Sequence, residues 1–404
     1  MTGTGLAQVI PIAISPLLTR LYSPEDFGIF AFYSSVCTIL AALATGKYEI
    51  AIVVPKGDGE AINLAAVSVA LSVSTSLILL AAILALGERV GFIINHPRIT
   101  DWLHYAPLTV CCMGTYYSLN YWINRKAGYK DMALSRVAQS STAGLMQLAL
   151  AVGSHGLMGL IVGQLGGQIA STLILAKSVY TKSRRILLRI SGKRMLAVAK
   201  KYLKYPRYML PGQLLSLCAT ELPLILITLL YGSIAGGFYS LALRITAIPL
   251  SMVANAVGDV YRQKAALEYA RDKSCRRIFI MSAKRLGFLG LVTMAPIMIF
   301  GPLLFSLVFG ERWRPSGEIA TLLSLLVLAQ TVSSPLSCTV LFPGWLRFEF
   351  LWQMMRFAFV LIIFWATQQT HSGYLAAISS YVLIASIFYL VHTYWQYRAA
   401  NGQS

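Results

Sequence analysis

KSVYTKSRRILLRISGKRMLAVAKKYLKYPR, residues 177–207, carries eleven Lys or Arg and no acid. The sequence on either side is almost continuously apolar, so a charged strap joins two greasy halves of similar length. Such a run can be a nucleic-acid patch, a disordered segment or a cytoplasmic loop of a membrane protein. The flanks decide for the loop, because basic loops between long apolar spans stay on the cytoplasmic side and meet anionic lipid there. From Lys193 to Leu203 the residues Met195, Leu196, Ala199, Tyr202 and Leu203 recur at three and four spacing. That pattern predicts a helix with one apolar and one lysine face, suited to lying flat on a membrane. Pro206 and Pro211 are expected to break it before the next span.

Composition sets the class. The chain of 404 residues is 57% hydrophobic and 12% charged, with mean hydropathy +0.66. A soluble domain is roughly half apolar and about a quarter charged, so this chain could not cover a water-exposed surface and reads as an all-α integral membrane protein. A net charge of +19 would suggest nucleic acid in a soluble protein. Here loops that hold a membrane topology account for it, and no nucleic-acid partner is expected. The six cysteines form no CxxC and no Cys/His cluster, which argues against a zinc site or a disulfide framework. They read as small buried hydrophobes.

A membrane helix needs about 20 apolar residues. Twelve stretches qualify: about 4–22, 27–46, 61–87, 104–124, 132–153, 156–178, 209–231, 235–258, 286–308, 317–342, 347–367 and 373–396. The first reads as a short span rather than a signal peptide, since no basic segment precedes it. With the N-terminus and the strap placed inside, the outer side keeps only Arg20, Arg89, Arg98, Arg312 and Arg314 of the 34 basic residues. Two more, Arg244 and Arg356, fall within spans. This bias predicts both termini in the cytoplasm. The expected organisation is a six-helix lobe over 1–178, a basic linker with an amphipathic helix over 179–207, and a second six-helix lobe over 208–404.

Leu17, Thr19, Leu21, Tyr22 and Gly28 recur 209 residues later as Leu226, Thr228, Leu230, Tyr231 and Gly237. Spans 1 and 7 run the same way through the membrane, so the halves read as parallel repeats, an architecture of transporters.

The run LLTRLYSPEDFGIFAFYSSVCTILAALATGKYEIAIVVPK (17–56) and the run KYPRYMLPGQLLSLCATELPLILITLLYGSIAGGFYSLALRITAIPLSMV (204–253) resemble the lipid-linked oligosaccharide flippases. These are the O-antigen and capsule-repeat exporters of the multidrug/oligosaccharidyl-lipid/polysaccharide (MOP) superfamily. The resemblance implies a two-lobe fold like that of multidrug exporters in the bacterial inner membrane. It implies movement of an undecaprenyl-diphosphate-linked oligosaccharide for O-antigen, capsule or exopolysaccharide. A polysaccharide polymerase and a chain-length regulator are the protein partners it suggests, with anionic lipid at the strap.

Ionisable residues inside a bilayer are costly and are candidates for function. Glu221 lies ten residues before the outer end of span 7 and Arg244 nine after the start of span 8. At 1.5 Å rise per residue both are about 14–15 Å deep. A buried structural ion pair and a cationic patch in a water-filled cavity are then equally good readings. Arg356, nine residues into span 11, has no acid one turn away in its own span and reads as functional. An arginine fork suits diphosphate oxygens, and Glu221 is a candidate to carry a coupling proton. Lys47, Glu49, Arg136 and Asp259 fall at the inner span ends, where anchoring of the topology is the nearer explanation. Gln139, Gln147 and Gln168 read as glue between helices, and Gly159, Gly163 and Gly167 as a strip for close backbone packing.

No P-loop, GxSxG or HExxH motif appears, so no cofactor, metal or catalytic constellation is expected and the chain reads as a transporter. Two other functions compete with a flippase. A membrane-embedded polysaccharide polymerase or glycosyltransferase would need a sizeable outer loop, and the outer connections are short. A drug or peptidoglycan-precursor exporter of the same fold stays open on sequence grounds.

Overall fold

A computed structural model describes residues 2–94, 102–153 and 156–402. Arg98 and the dipeptide 154–155, both assigned to outer connections from sequence, lie outside these residues. The described residues form helices and no strand. The long ones are α1 Thr2–Leu21, α2 Pro24–Ala44, α4 Asp58–Ile94, α5 Ala106–Arg125, α6 Tyr129–Val152 and α7 Leu157–Leu187. They continue with α9 Leu210–Tyr231, α10 Ser233–Asp272, α11 Arg276–Phe309, α12 Arg314–Leu336, α13 Leu346–Gln369 and α14 Tyr374–Ala400. Each overlaps one of the twelve expected spans. Two short helices interrupt the series, α3 Tyr48–Ala51 and α8 Gly192–Lys201. Among the described residues, eight helices are long and apolar enough to cross a membrane by length and composition. Exposed side chains such as Leu77, Ile78, Phe288, Ile299, Leu307 and Ile362 lie on these helices, as expected where the solvent is hydrocarbon. The chain is an all-α, multi-pass membrane protein.

The chain forms two compact units, Met1–Ile225 and Leu226–Ser404, with the boundary inside α9. In the first unit one core gathers Tyr48, Ile52, Leu64, Trp122, Val179, Val198 and Tyr202, and another gathers Ile29, Phe32, Tyr33, Val110 and Ile161. The second unit is built around Tyr261, Phe279, Leu286 and Leu336.

Local rules explain the boundaries. Ser23 caps α2: its hydroxyl accepts from the Asp26 amide, and the Asp26 carboxylate accepts from the Ser23 amide in return, with Pro24 at the first helical position, where a missing N–H costs nothing. Pro206 sits in one wide turn, Tyr205–Met209. The wide turn leads without a gap into α9, so Pro211 lies inside a continuous helical run and does not end it.

Helices α6 and α7 pack backbone to backbone. A Cβ on Gly159 would strike the Tyr22 hydroxyl, one on Gly163 the Gln147 side chain, and one on Gly167 the Gln139 carbonyl. The glycine strip is thus used inside the unit. Gln139 donates to Gln168 Oε1 at 2.7 Å and Gln147 to the Leu160 carbonyl at 3.1 Å, so these glutamines do tie helices together.

The strap's helix is clamped to the first unit. The Asn63 amide nitrogen donates to the Arg189 carbonyl (3.1 Å) while its oxygen accepts from the Ser191 amide (3.1 Å). Tyr48 donates to the Ala199 carbonyl at 3.0 Å, and Lys201 pairs with Glu60 at 2.5 Å. Val198 and Tyr202 are buried, and Met195 and Ala199 pack against the same core. Part of the apolar face expected to meet the membrane is therefore covered by protein. Leu196 on α8 and Leu203, in the turn after it, stay exposed.

Candidate functional site

The turn after α2 places Gly46 and Lys47 in the left-handed region, at φ 57° and 59°. Glycine tolerates this freely and lysine pays for it. The result is that the Lys47 ammonium turns inward and meets Glu49 at 3.5 Å, with the two residues 6% and 2% exposed. Glu49 Oε2 is buried without a hydrogen bond among the described residues. These two inner-end candidates are therefore not solvated anchors. They form a buried ion pair, which is costly to desolvate and weak evidence for stability alone.

Glu221 on α9 accepts from the Ser35 hydroxyl on α2 at 2.6 Å. Tyr117 on α5 lies within electrostatic reach of both Glu49 and Glu221. Two carboxylates that the sequence separates by 172 positions thus both act on one tyrosine of the first unit. Next to Ser35, the Ser34 hydroxyl is buried and unbonded among the described residues, as is Asn120 Oδ1 on α5. Arg136 on α6 is half-buried and takes part in a polar interaction. Trp122 on α5 is fully buried and donates to Ser183 Oγ at 3.2 Å.

In the second unit Arg244 is half-buried on α10 and has no ion-pair partner among the described residues of that unit. Asp259, further along α10, is exposed, as an interfacial charge would be.

Arg356 is the best-connected candidate. Its guanidinium stands over the Tyr389 ring, 5.2 Å from the centroid, and donates to Gln353 Oε1 at 2.9 Å. Gln353 Nε2 donates to Glu349 Oε1 at 2.8 Å, and Glu349 Oε2 lies 3.4 Å from His392 Nε2 on α14. His392 is 4% exposed and lies flat against Trp352, 4.6 Å between centroids and 11° between planes. Gln396 Nε2 approaches His392 Nδ1 at 3.0 Å and donates to the Ser333 carbonyl at 3.0 Å. Sequence reasoning looked for an acid one turn from Arg356. The acid sits two turns away, with Gln353 as the bridge. The spacing of Glu349, Gln353 and Arg356, which places them on one helix face, could have revealed it. His392 carried no such signal.

Among the described residues, no group of three or more His, Cys, Asp or Glu is placed to hold a metal ion. The arrangement offers instead cations and carboxylates on membrane-spanning helices, with hydrogen-bonding side chains beside them. That suits binding and moving a charged solute.

Comparisons with known proteins give the family and the fold. Residues 17–318 match the model of a family described as polysaccharide biosynthesis protein. The succinoglycan biosynthesis transport protein ExoT of Rhizobium meliloti (strain 1021) is 22% identical over 361 residues, covering 85% of this chain and 66% of that one. The chain therefore spans just under two thirds of that relative's length. Among solved structures, the lipid II flippase MurJ in an inward closed conformation matches with a TM-score of 0.73 at 13% identity, covering 98% of this chain and 86% of that one. An inward-facing multidrug resistance MATE family transporter of the MOP superfamily matches with a TM-score of 0.67 at 15% identity, covering 98% and 93%. At such identities the structural matches establish the fold, which is that of these transporters, and the family model establishes the kinship: the chain belongs to the polysaccharide biosynthesis protein family.

Proposed function

We propose that this protein is a flippase that carries undecaprenyl-diphosphate-linked oligosaccharide repeat units across the bacterial inner membrane by alternating access. The observation that carries the reading is Arg356, an arginine within a membrane-spanning helix of a polysaccharide-biosynthesis family member, held by one hydrogen bond and a ring face. One bond to Gln353 leaves most of its five donors for a ligand. A guanidinium is the side chain that grips a diphosphate in two-pronged fashion. Arg244 and Glu221 are proposed to face the same cargo, with Lys47, Glu49, Arg136 and Asp259 nearer the inner mouth. The transported unit undergoes no covalent change, so the protein is a transporter and not an enzyme.

The kinship with a succinoglycan transport protein favours an exopolysaccharide repeat unit over O-antigen or capsule. A polymerase and a chain-length regulator would act on the delivered units, and both termini would lie in the cytoplasm. In this reading residues 1–178 and 208–404 are the two moving lobes and 179–207 their linker.

Deletion in the native host tests this. Loss of surface polymer, with finished repeat units accumulating on carrier lipid, is the expected outcome. Single repeat units reaching the surface would point to a polymerase instead. The fold shared with a lipid II flippase supports one further reading, export of a peptidoglycan precursor. Rescue of a strain depleted of its own lipid II flippase would favour that cargo.

A further inference from the structure

Glu349 and His392 meet inside the second unit, and the charges acting on Glu349 are those of His392 and Arg356. We propose that Glu349 and His392 form a proton-binding site that sets the net charge around Arg356.

The argument starts from the ring's two edges. The Gln396 amide nitrogen is identified by its bond to the Ser333 carbonyl, which only a donor can make. That nitrogen also faces His392 Nδ1 at 3.0 Å, so in the neutral ring Nδ1 is the acceptor. The ring proton is then on Nε2, facing the Glu349 carboxylate at 3.4 Å. Neither Glu349 Oε2 nor His392 Nε2 has a well-formed hydrogen bond, and both atoms are buried. A buried donor and acceptor left at that separation hold unspent interaction energy.

A second proton, taken from water, adds to Nδ1. No bond between heavy atoms changes; the imidazole becomes imidazolium and the pair goes from a net charge of −1 to zero. The change requires the Gln396 amide to turn away its nitrogen, which donates toward Nδ1 and to the Ser333 carbonyl; its Oε1, buried and without a hydrogen bond among the described residues, then becomes the acceptor for Nδ1–H at the cost of the Ser333 bond. Ser333 Oγ lies 3.2 Å from Nδ1, and a hydroxyl can turn from donor to acceptor. The ring lies flat against Trp352, 4.6 Å between centroids and 11° between planes, the geometry in which a π face holds a cation. Glu349 then answers to the imidazolium as well as to Arg356.

The groups that face the pair can be named. On α13 they are Gln353 and, through it, Arg356; on α14, Gln396 and the Tyr389 ring beneath Arg356; on α12, Ser333. With the proton absent, Glu349 balances Arg356 and the cluster is neutral. With the proton bound, it carries +1 and Arg356 is left as an uncompensated cation for an anionic ligand. Proton and anion binding are then linked, each strengthening the other. This last step rests on the diphosphate reading of Arg356, whereas the proton site does not.

An acid in the first turn of a helix also serves the helix dipole, and a stacked, buried histidine can be mere packing. Titration separates those roles from a proton site. The full chain is purified in lipid nanodiscs and its tryptophan fluorescence is followed from pH 5 to 9 in roughly half-unit steps around the imidazole range. An imidazolium quenches a stacked indole far more than a neutral imidazole does. The expected result is a sigmoidal transition that disappears in Trp352→Phe and in His392→Gln. In Glu349→Gln, a change that keeps the shape, the midpoint falls by about one pH unit or more, because the carboxylate that favours the cation is gone. A transition that survives His392→Gln, or an unmoved midpoint in Glu349→Gln, would overturn the proposal; Glu349→Gln decides it if His392→Gln does not fold. Inorganic pyrophosphate is then added. A midpoint that rises in the wild type and not in Arg356→Ala supports the linkage. If the transition is present and pyrophosphate leaves it unmoved in both, the proton site stands and the diphosphate role of Arg356 fails.

Discussion

Ser35 donates to Glu221 at 2.6 Å, joining α2 to α9 across 186 residues of sequence. The bond gives a membrane-embedded carboxylate a neutral partner. Glu221→Gln keeps an acceptor for Ser35 and removes the charge. The fold is expected to survive, with a melting temperature in detergent close to wild type, while polysaccharide export falls at least tenfold. Wild-type export would mean that the charge does no work. Ser35→Ala leaves the carboxylate short of its donor and is expected to cost about 1–3 kcal/mol, read as a lower melting temperature.

Arg356 is asked to do more than supply charge. Arg356→Lys keeps the cation and loses the fork, which is not a conservative change at a site that grips two oxygens. Export is expected to drop by more than tenfold in Arg356→Lys and to vanish in Arg356→Ala, with both proteins inserted and monodisperse. Surface polysaccharide at normal levels in Arg356→Ala would remove the role assigned to it.

Asn63 holds the strap by both ends of its amide. Asn63→Ala strips partners from the Arg189 carbonyl and the Ser191 amide, at a cost of about 1–3 kcal/mol. The segment from Lys193 to Lys204 is rich in trypsin sites. Cleavage there is expected to quicken in Asn63→Ala while the rest of the chain stays resistant. An unchanged digestion rate would mean that the core contacts of Val198 and Tyr202 suffice alone.

Gly167 packs against the Gln139 carbonyl, which is backbone and cannot move aside as a side chain can. Gly167→Leu is expected to destabilise the first unit by about 1–3 kcal/mol or more through overpacking. Gly192, whose added Cβ would meet nothing within 4 Å, is the control and should accept alanine with little change. Equal melting temperatures for Gly167→Leu and wild type would show that α6 and α7 separate at little cost.

Asp131 at the start of α6 is held below the usual carboxylate range by its hydrogen bond from Lys182, with a second from Ser178 on α7. A carboxyl lowered in the folded state contributes stability that is full above its unfolded value, near about pH 4, and is lost as the pH falls through the folded one. Thermal stability of the wild type should therefore fall as the pH drops below about 4. Asp131→Asn should be less stable at neutral pH and show a shallower acid decline. Parallel curves for the two would show that the contact contributes nothing.

Much of this molecule is decided by local sequence. Apolar runs long enough to span a bilayer, interrupted by glycine, proline and charge, set the long helices of the described residues, because a backbone in hydrocarbon must satisfy its own hydrogen bonds. The Ser23–Asp26 cap, the glycine strip of α7 and the strap's amphipathic period are equally local, and each appears in the structure where its residues stand. What the apolar face of the strap would pack against is not local. Whether Met195 and Tyr202 meet lipid or protein depends on α4 coming alongside, and Asn63 lies 128 residues from Ser191. The same holds for charge. Lys47 and Glu49 are two residues apart, yet only the left-handed turn and the core around them make the pair buried. Glu349 and His392 stand on different helices, 43 positions apart. A lone histidine in an apolar span has no pattern around it. Its partners are chosen by the packing of α12, α13 and α14, so the tertiary structure alone decides that this ring faces a carboxylate, and through it Arg356.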